Sequence, residues 1–409
     1  MLLEHLQRQL REREAQALRR HVRVAESPCG VYQRITRNGG DANANGQPLL
    51  TFGSNDYLGL ANHPVVISAL AEGAARYGAG SGASHLVSGH MRPHEILETG
   101  LAELLSPCVP HAKALFFCSG YMANIAILSA LGDTKATIFA DKLNHASLID
   151  GALLARATVR RYPHENLASL TAQLEQCDTP IKLIVTDAVF SMDGDLAPLP
   201  ELSALAERFD AWLIIDDAHG FGVLGPQGRG SLAHFNLCSE RYIYMGTLGK
   251  AAGVAGAFVA AHPVVIDWLV QGARSYIYTT ATPPAIAHAL CASLQLMTGE
   301  EGELRRTHLR QLISLWRTKI TALTRAQPQI AWQLTASQTA IQPLILGNND
   351  AAMVAASQLE AHGIWVPPIR PPTVPVGTAR LRVTLSAAHT PADVERLIGA
   401  LSREAQVTS

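Results

Sequence analysis

The sequence has almost no net charge and few charged residues for its length. Its 33 lysines and arginines are balanced by 34 aspartates and glutamates, and charged residues make up only 16% of the 409 positions. A chain without a basic surplus has no long-range attraction for nucleic-acid phosphates or anionic membranes, so neither is expected as a partner. Hydrophobic residues reach 48%, which is typical of α/β enzymes whose parallel strands are covered on both faces. Small molecules are therefore the expected ligands.

The sequence also lacks paired cysteines, a secretion signal and a membrane span. Its six cysteines are scattered without paired short spacings, which predicts a reducing, cytoplasmic compartment. The N-terminal segment has the pattern of an amphipathic helix without an apolar leader region, and its acidic residues Glu4, Glu12 and Glu14 are atypical of a transit peptide. The longest apolar stretch, 251–270, is rich in glycine and alanine and includes Asp267, as buried core segments do.

The length of the chain predicts more than one folding unit, because single hydrophobic cores stop growing beyond about 250–300 residues. We expect an N-terminal helix with short strands over 1–50, a large α/β domain over 51–290 and a small α/β domain over 291–409. A stretch rich in glycine and asparagine at 38–48 predicts a turn joining two of the short strands. In the large domain, short apolar runs alternate with helical periodicity, which predicts a mostly parallel sheet. The predicted strands are ALFFC (114–118), TIFA (137–140), IKLIV (181–185), WLIID (212–216), YIYM (242–245) and GAFVA (256–260).

Polar residues follow these strands at the end where parallel sheets bind their ligands. After ALFFC come Ser119, Gly120 and Tyr121 and a predicted helix from Met122. The N–H groups of such a turn bind phosphate, although an ordinary strand–turn–helix connection has the same pattern. WLIID ends in Asp216, a carboxylate that needs a partner at a buried strand end. A cationic pyridinium would be such a partner, and loop amides are the alternative.

A lysine in small-residue, apolar surroundings follows the fifth of these strands. Lys250 stands in GTLGKAAGVAGAF, where a desolvated amine can form an imine with an aldehyde, and the hydroxyl of nearby Thr247 suits a phosphate. A lysine that snorkels to solvent is the alternative, but the flanking residues give it little surface to cross. Each of these three features follows a predicted strand: first the phosphate-binding turn, then the aspartate and then the lysine. Their joint occurrence by chance is far less probable than the chance occurrence of any single one.

On these residues the chain resembles the fold-type I enzymes that use pyridoxal 5'-phosphate (PLP). More narrowly, it resembles the α-oxoamine synthases, which condense an amino acid with an acyl thioester and release carbon dioxide. The resemblance spans nearly the whole chain and implies a mostly parallel central sheet with a smaller α/β C-terminal domain. Its motifs are FGSNDYLGL (52–60), GAGSGASHLVSGH (78–90), CSGYMAN (118–124), LNHASLIDGA (143–152), VFSMDGD (189–195), DDAHGFGVLG (216–225), GTLGKA (246–251) and IRPPTVPVGTARLRVTL (369–385).

The resemblance implies roles for the cofactor-site residues. Lys250 would bind PLP as a Schiff base, Asp216 would keep the ring nitrogen protonated, and His145 would stack on the ring face. The family members are homodimers with active sites at the subunit interface, so some contacts would come from the neighbouring subunit. The other implied cofactor contacts are Ser119, Gly120, Tyr121, Ser191, His219 and Thr247, with Thr279 and Thr280 reaching the neighbouring subunit's phosphate.

The resemblance also implies a substrate and its contacts. The last motif points to the family branch that joins L-alanine to a pimeloyl thioester in biotin biosynthesis, with the acyl group carried by coenzyme A or a carrier protein. Asn55 and Arg382 would hold the carboxylate of the amino acid, and Arg19, or its neighbour Arg20, the far carboxylate of the acyl chain. A branch that uses glycine or another acyl group is the alternative, because one methyl discriminates weakly. The implied substrate contacts are Arg19, Asn55, His145, Thr373 and Arg382.

Three positions depart from the family pattern. Asp187 stands where glutamate is usual, Ala252 where phenylalanine is common, and His85 where arginine is frequent. The shorter Asp187 changes a contact behind the ring, and the small Ala252 opens the question of how the acyl pocket is shaped. None of the three removes a group that the chemistry requires.

Other kinds of site are not favoured. The glycines within 78–82 follow a helical stretch instead of a strand, so they do not form a dinucleotide fingerprint. His85, His90 and His94 lack a clean tetrahedral ligand set, so no metal is expected. The sequence has no G-x-S-x-G motif of a serine hydrolase. A PLP-fold protein that only binds a partner is not favoured either, because the lysine and the aspartate are both present.

Overall fold

The computed structural model of the chain describes residues 1–37, 48–327 and 332–407, so the predicted turn at 38–48 lies almost wholly outside the described residues. The chain divides into two compact units. The N-terminal segment belongs to the same unit as the C-terminal segment. The large unit comprises Leu60–Ser191 and Leu196–Arg305, and the small unit comprises Met1–Gly59, Met192–Asp195 and Arg306–Ser409.

The strands are short and are distributed along the whole chain. In chain order they are β1 (Arg23–Ala25), β2 (Tyr32–Gln33), β3 (Ile35–Arg37), β4 (Leu49–Thr51), β5 (Lys113–Phe117), β6 (Ala136–Asp141), β7 (Thr158–Tyr162), β8 (Ile181–Asp187), β9 (Trp212–Asp216), β10 (Tyr242–Thr247), β11 (Ala257–Ala261), β12 (Gln333–Leu334), β13 (Ile341–Gly347), β14 (Ile364–Trp365), β15 (Pro368–Ile369) and β16 (Ala379–Thr384).

The helices vary more in length, and in the described ranges none is long and apolar enough to cross a membrane. A π-helical turn spans His85–Gly89 and a 3-10 turn spans Pro226–Gly228. The α-helices are α1 (Leu2–Ala15), α2 (Pro64–Tyr77), α3 (Arg92–Leu105), α4 (Gly120–Leu131), α5 (Ala146–Leu154), α6 (Leu167–Glu175), α7 (Leu199–Arg208), α8 (Ser231–His234), α9 (Pro263–Gly272), α10 (Arg274–Ile277), α11 (Pro284–Thr298), α12 (Glu300–Ala326), α13 (Asn349–Ala361) and α14 (Pro391–Val407).

A seven-stranded sheet forms the centre of the large unit, in the order β5-β11-β10-β9-β8-β6-β7. Only β11 runs against its neighbours, so the predicted, mostly parallel sheet is confirmed. All six predicted strands are present. The seventh, β7, is TVRRY, an edge strand whose exposed and charged residues give no apolar run to recognise.

The core of the large unit lies between the sheet and its helices. Every residue of β6, β10 and β11 is buried, as strands covered on both faces require. Helix α4 has the sequence GYMANIAILSAL and packs its small and branched residues on the sheet, each large side chain contributing about 1.5–3 kcal/mol of burial. The core includes Ala126, Ile127, Leu128, Ile138, Leu183, Ile214 and Val259.

The connection between β10 and β11 is a short hairpin that carries Lys250. Its turn is closed by hydrogen bonds from Leu248 N–H to the Gly256 carbonyl at 2.8 Å and from Gly253 N–H to the Lys250 carbonyl at 2.9 Å. Gly253 has a φ of +72°, and a Cβ there would lie 2.5 Å from the backbone nitrogen of Ala61. Glycine is therefore required at this position.

The small unit is built mostly on antiparallel strands, and only β14 and β4 pair in parallel among its described strands. Strands β12-β13-β16-β15 form a four-stranded sheet, β14-β4-β2 a three-stranded sheet, and β1 pairs with β3. Strands β1 and β3 are joined by residues 26–34, and the glycine-rich stretch of the predicted turn lies between β3 and β4, almost wholly outside the described residues. Strand β4 pairs elsewhere, because its buried LLT sequence completes the sheet with β14 and β2.

Candidate active site

The strand ends of the large unit bring the predicted cofactor residues together. Strands β5, β6, β8, β9 and β10 point in one direction, so their carboxyl ends lie along the same edge of the sheet. The β8–β9 register pairs Asp187 with Asp216, and the β9–β10 register pairs Asp216 with Met245. The side chains that follow these strands therefore face one site.

Asp216 is a buried carboxylate held by two donors. Its Oδ1 accepts a hydrogen bond from the N–H of Ala218 at 3.0 Å, and its Oδ2 accepts one from Asn124 Nδ2 at 2.7 Å. Only 4% of the residue is exposed. A carboxylate has about four lone-pair positions, so acceptor capacity is left for a further donor such as a pyridinium N–H.

The adjacent Asp217 points to the other face of the strand and is engaged in structure. Its carboxylate accepts hydrogen bonds from the N–H and the hydroxyl of Ser231, both at 2.6 Å, and from the hydroxyl of Tyr244 at 2.7 Å. Burial raises the pKa of Asp217 to about 6. Of the two neighbouring aspartates, Asp216 is thus the one available to a ligand.

A chain of hydrogen bonds links Asp216 to His145. Asn124 Nδ2 donates both to Asp216 and to the Ser147 hydroxyl oxygen, the latter at 2.8 Å. Because this amide can only donate, the Ser147 hydroxyl is free to donate to His145 Nδ1, 2.7 Å away. The N–H of Ser147 also points at Nδ1, at 3.2 Å. Neutral His145 therefore carries its proton on Nε2.

His145 caps helix α5 and is an exposed residue. Partial burial lowers the pKa of its ring, Asp216 opposes this shift and Lys250 adds to it. The His145 N–H donates to Asp187 at 2.7 Å. Burial and the charge of Asp216 raise the pKa of Asp187 well above its usual value. The shorter side chain at position 187 thus still reaches the backbone at the start of α5.

Lys250 and His219 meet at the same edge of the sheet. Lys250 Nζ lies 2.9 Å from His219 Nε2. An ammonium or amine N–H donates here, which places the proton of a neutral His219 on Nδ1.

The departure at Ala252 is fully buried, and its carbonyl accepts a hydrogen bond from the Ser293 hydroxyl at 2.6 Å.

The predicted phosphate-binding turn is a helix N-terminus. Helix α4 begins at Gly120, two residues before the predicted start, and Ser119 caps it by accepting the N–H of Met122 at 3.3 Å. The amides of Gly120 and Tyr121 belong to the first turn, where the helix itself provides no acceptor. The Tyr121 hydroxyl donates to Asp150, so its backbone is the part left for an anion. These features are typical of anion sites.

The remaining predicted cofactor residues lie in loops of the large unit. Thr247 ends β10 and donates its hydroxyl to the Gly256 carbonyl at 3.1 Å. Ser191 is half-buried in the turn after β8. Thr279 and Thr280 lie between α10 and α11, and the Thr280 carbonyl is 3.7 Å from the sulfur of Cys118. Contact of these threonines with a second subunit stays a prediction.

The three histidines considered for a metal, His85, His90 and His94, lie together. One ring nitrogen of each is within 4.8 Å of the other two. His94 is engaged at both nitrogens: Nδ1 accepts the N–H of Met91 at 2.9 Å, and Nε2 is 2.7 Å from the Thr282 carbonyl. His85 is buried, stacks on Tyr276, and has its pKa lowered to about 3 by burial. The departure at His85 is thus accommodated as a neutral core histidine.

In the small unit, the predicted carboxylate-binding pair is in contact. Arg382 is 5% exposed, and its Nη1 donates to Asn55 Oδ1 at 3.3 Å and to the Thr384 hydroxyl at 2.9 Å. The Tyr57 hydroxyl also donates to Asn55 Oδ1, at 3.2 Å. A guanidinium pairs with a carboxylate through two parallel N–H bonds, so this buried arginine beside Asn55 is suited to bind one.

A second small-unit feature is a cavity of about 320 Å³, which we call the acyl cavity. It is lined by the predicted residues Arg19 and Thr373 and also by Arg20 and Arg370. Arg20 donates to the Thr373 hydroxyl at 3.4 Å, whereas Arg19 pairs with Glu14 at 3.2 Å on the surface. Burial and the neighbouring Arg20 lower the pKa of Arg370. With Arg23, four arginines thus line one cavity.

The sequence interpretation missed Asn124 and Ser147. Asn124 is fully buried in an otherwise apolar helix, and its Oδ1 has no hydrogen-bond partner within the described residues. A lone amide in GYMANIAILSAL was the available signal, because a buried polar group needs a partner. Ser147 directly follows the predicted His145-Ala146 pair. Arg370, inside the last motif, was also missed.

The donor set fits PLP. The Lys250 amine suits the cofactor aldehyde, and the buried carboxylate of Asp216 suits the pyridinium. The exposed imidazole of His145 suits the flat ring. The N-terminus of α4 suits the phosphate. Beside Asp216, the buried Oδ1 of Asn124 has no hydrogen-bond partner within the described residues, so this part of the site can still accept a donor.

Comparison with known proteins agrees with this chemistry. A family model described as aminotransferase class I and II matches residues 47–401. An 8-amino-7-oxononanoate synthase of Leptothrix cholodnii is 68% identical over 406 residues, which is 99% of each chain, and one of Polaromonas naphthalenivorans is 66% identical over 403 residues, 98% of each chain.

Solved structures are similar over most of their length. A serine palmitoyltransferase from S. paucimobilis, with a bound PLP–myriocin aldimine, has a TM-score of 0.87 at 26% identity and covers 98% of each chain. An 8-amino-7-oxononanoate synthase of Francisella tularensis has a TM-score of 0.73 at 32% identity, over 88% of this chain and 98% of that one.

The chain therefore belongs to the aminotransferase class I and II family. Within that class it belongs to the 8-amino-7-oxononanoate synthase family, because relatives with that name match it from end to end.

Proposed function

We propose that the protein catalyses the PLP-dependent, decarboxylative condensation of L-alanine with a pimeloyl thioester to form 8-amino-7-oxononanoate in biotin biosynthesis. The observation that carries the proposal is the site at the sheet edge, where the Lys250 amine lies 2.9 Å from His219 and the buried Asp216 keeps acceptor capacity. The end-to-end identity with 8-amino-7-oxononanoate synthases supports the substrate assignment.

The cofactor supplies an electron-withdrawing ring that stabilises negative charge at the α-carbon of the amino acid. Asp216 holds the proton on the ring nitrogen, and Lys250 anchors the cofactor aldehyde. His219 and Ser191 bind the ring hydroxyl side. The phosphate would be held by the amides of Gly120 and Tyr121, by the Ser119 hydroxyl and by the Thr247 hydroxyl after it turns away from the Gly256 carbonyl, with Thr279 and Thr280 coming from the second subunit.

Two groups of the large unit move or hold protons during the reaction. The Lys250 amine would remove the α-proton of the amino acid and later return one. His219 Nε2 accepts a hydrogen bond from this amine and so orients it. His145 would stack on the cofactor ring and present Nε2–H as a donor to a substrate oxygen.

The small unit supplies the groups that recognise the substrates. Arg382 and Asn55 bind the carboxylate of alanine through a guanidinium already directed by Thr384. The acyl cavity takes the pimeloyl chain, with Thr373 on its lining and Arg19 for the far carboxylate. The acyl group arrives on coenzyme A or on an acyl carrier protein.

The proposal includes a cytoplasmic homodimer. All six cysteines, which lie within the described residues, are free thiols, in keeping with a reducing compartment. Helix α1 buries no residue in one chain, and Leu2, Leu3, Leu6 and Leu10 on it are at least 45% exposed. An exposed apolar stripe of this kind favours an interface. The family resemblance implies homodimers, so a second copy of the chain is the proposed partner. Sedimentation at assay concentration tests this: a fully active monomer would remove the dimer from the proposal.

A product assay tests the reaction. The holoenzyme is given L-alanine or glycine with pimeloyl, shorter and longer acyl thioesters, and the products are identified by mass. We expect alanine and the pimeloyl thioester to give the highest kcat/KM and one carbon dioxide per product. A higher kcat/KM with glycine, or with a monocarboxylic acyl group, would assign the chain to another α-oxoamine synthase activity.

A further inference from the structure

The acyl cavity combines cationic and apolar lining. Arg19, Arg20 and Arg370 give it positive charge, while Trp365 and Met353 give it apolar surface. At about 320 Å³ it lies at the small end of ligand pockets, which run from about 300 to 1,000 Å³. Both properties suit a short acyl chain with an anionic end, and they raise the question of what fixes the size of the cavity.

A fourth arginine of the lining, Arg23, differs from the other three. Its Nη1 and Nη2 donate to the two carboxylate oxygens of Glu360 at 2.9 and 3.0 Å. The side chains are only 21% and 13% exposed, so this is a mostly buried, two-point ion pair. Because its charge is already neutralised, Arg23 is not a further receptor for the substrate carboxylate.

The same guanidinium lies over a side chain of the cavity wall. Its Cζ is 3.6 Å from the centroid of the Trp365 ring. The three groups come from separate elements: Arg23 from β1, Glu360 from α13 and Trp365 from β14. A cation that is held at two points and lies over an indole restricts the position of the ring, because a displaced ring loses the cation–π contact.

We propose that Arg23 is a specificity-determining residue that sets the acyl chain length by fixing Trp365. The proposal rests on the proposed function, since it gives the acyl cavity to the pimeloyl chain. Arg23 acts through the indole: with the ring fixed, an acyl chain with an extra methylene has to displace the ring or leave its carboxylate short of the arginines. Arg23 is therefore a positioning residue and does not itself contact the substrate carboxylate.

Selectivity between acyl thioesters tests the proposal. The kcat/KM of the holoenzyme is measured with pimeloyl thioester and with dicarboxylic thioesters one methylene shorter and one methylene longer. We expect wild type to prefer the pimeloyl over the longer chain by about tenfold or more, the lower end of what one methylene is worth in an apolar pocket. Arg23→Ala should reduce this ratio at least about fivefold.

Two further variants separate positioning from general damage. Arg23→Lys keeps the charge but lacks the planar fork, so it should recover less than half of the lost selectivity. Arg208→Ala is the matched control, because Arg208 forms an exposed pair with Glu175 at 3.2 Å in the large unit and should leave the ratio unchanged. If Arg23→Ala does not fold, Glu360→Gln, which removes the charge and one acceptor, takes its place with the same expected direction.

The outcomes are distinct. A folded Arg23→Ala, or Glu360→Gln in its place, with the wild-type ratio overturns the proposal, and so does an equal loss with all three thioesters, which a merely structural role would give. If wild type turns over none of the thioesters, the proposed function fails and this inference fails with it. Activity of wild type on pimeloyl thioester with an unmoved ratio in the variants overturns the role of Arg23 alone.

Discussion

Replacing Asn124 by leucine should damage the site while leaving the fold nearly as stable as before. Asn124 is fully buried, and its Nδ2 donates to Asp216 at 2.7 Å and to Ser147 at 2.8 Å. Its Oδ1 is buried with no partner in the described part of the chain. Leucine is of similar size, so the change removes two hydrogen bonds and one unsatisfied oxygen with little change of volume.

The magnitudes follow from these contacts. The bond to the charged Asp216 is worth about 1.5–3 kcal/mol and the bond to neutral Ser147 about 0.5–1.5 kcal/mol, while removal of the unsatisfied Oδ1 returns about 1–3 kcal/mol. The free energy of unfolding should therefore change by between a gain of about 1 kcal/mol and a loss of about 3.5 kcal/mol, centred on a loss of about 1 kcal/mol. At the site nothing offsets the loss, because Asp216 keeps only the Ala218 N–H. If the lost hydrogen bond of about 1.5–3 kcal/mol raises the activation free energy by the same amount, kcat falls roughly 10- to 150-fold.

The assay measures three quantities on one set of variants: kcat, the Kd of PLP for the apoprotein, and urea unfolding. Asn166→Ala is the matched control, because Asn166 caps α6 by accepting the N–H of Ser169 at 2.8 Å. Losing that cap should cost about 1 kcal/mol of stability without changing kcat or the Kd of PLP. An Asn124→Leu variant with wild-type kcat and PLP affinity would refute the reasoning, as would the same kcat loss in the control.

The other predictions concern the residues that act on the cofactor and the acyl chain. Borohydride reduction followed by peptide mapping should locate the cofactor on Lys250, and Lys250→Ala should abolish turnover; cofactor fixed to another lysine would contradict the assignment. Asp216→Asn should retain PLP but lose about 100-fold or more in kcat, since breaking a buried ion pair costs about 3–5 kcal/mol, and rapid α-proton exchange of alanine in that variant would contradict the role. Arg19→Ala should raise KM for the pimeloyl thioester about 5- to 30-fold with a smaller effect on kcat. An unchanged KM would remove Arg19 from the site. Arg20→Ala, tested beside it, shows which arginine binds the far carboxylate.

The central sheet and the position of its site could be predicted because both depend on local sequence. Buried parallel strands are continuous apolar runs, and residues that end them, such as Ser119, Asp216 and Thr247, meet at one edge whatever the helices between them do. The family resemblance added roles for His145 and Lys250, which the structure places within electrostatic reach of each other.

The rest depended on contacts that leave little trace in the local sequence. Asn124 lies 92 residues from Asp216 in the chain, and its importance comes from burial that only the packing of α4 on the sheet creates. Arg23 and Glu360 are 337 residues apart, so nothing near either residue indicates their ion pair. Strand β7 was missed for a different reason, because an edge strand can be polar on both faces.

The hairpin that carries Lys250 joins two interior strands of the sheet and is closed by its own backbone hydrogen bonds. Amides in such a place exchange with solvent only when a large part of the structure opens, unlike those of a surface loop. The reactive amine therefore stands on a segment that is tied at both ends to the sheet. Retention of PLP during heating and the kinetic stability of the large unit should rise and fall together, and hydrogen exchange at residues 247–257 should report both.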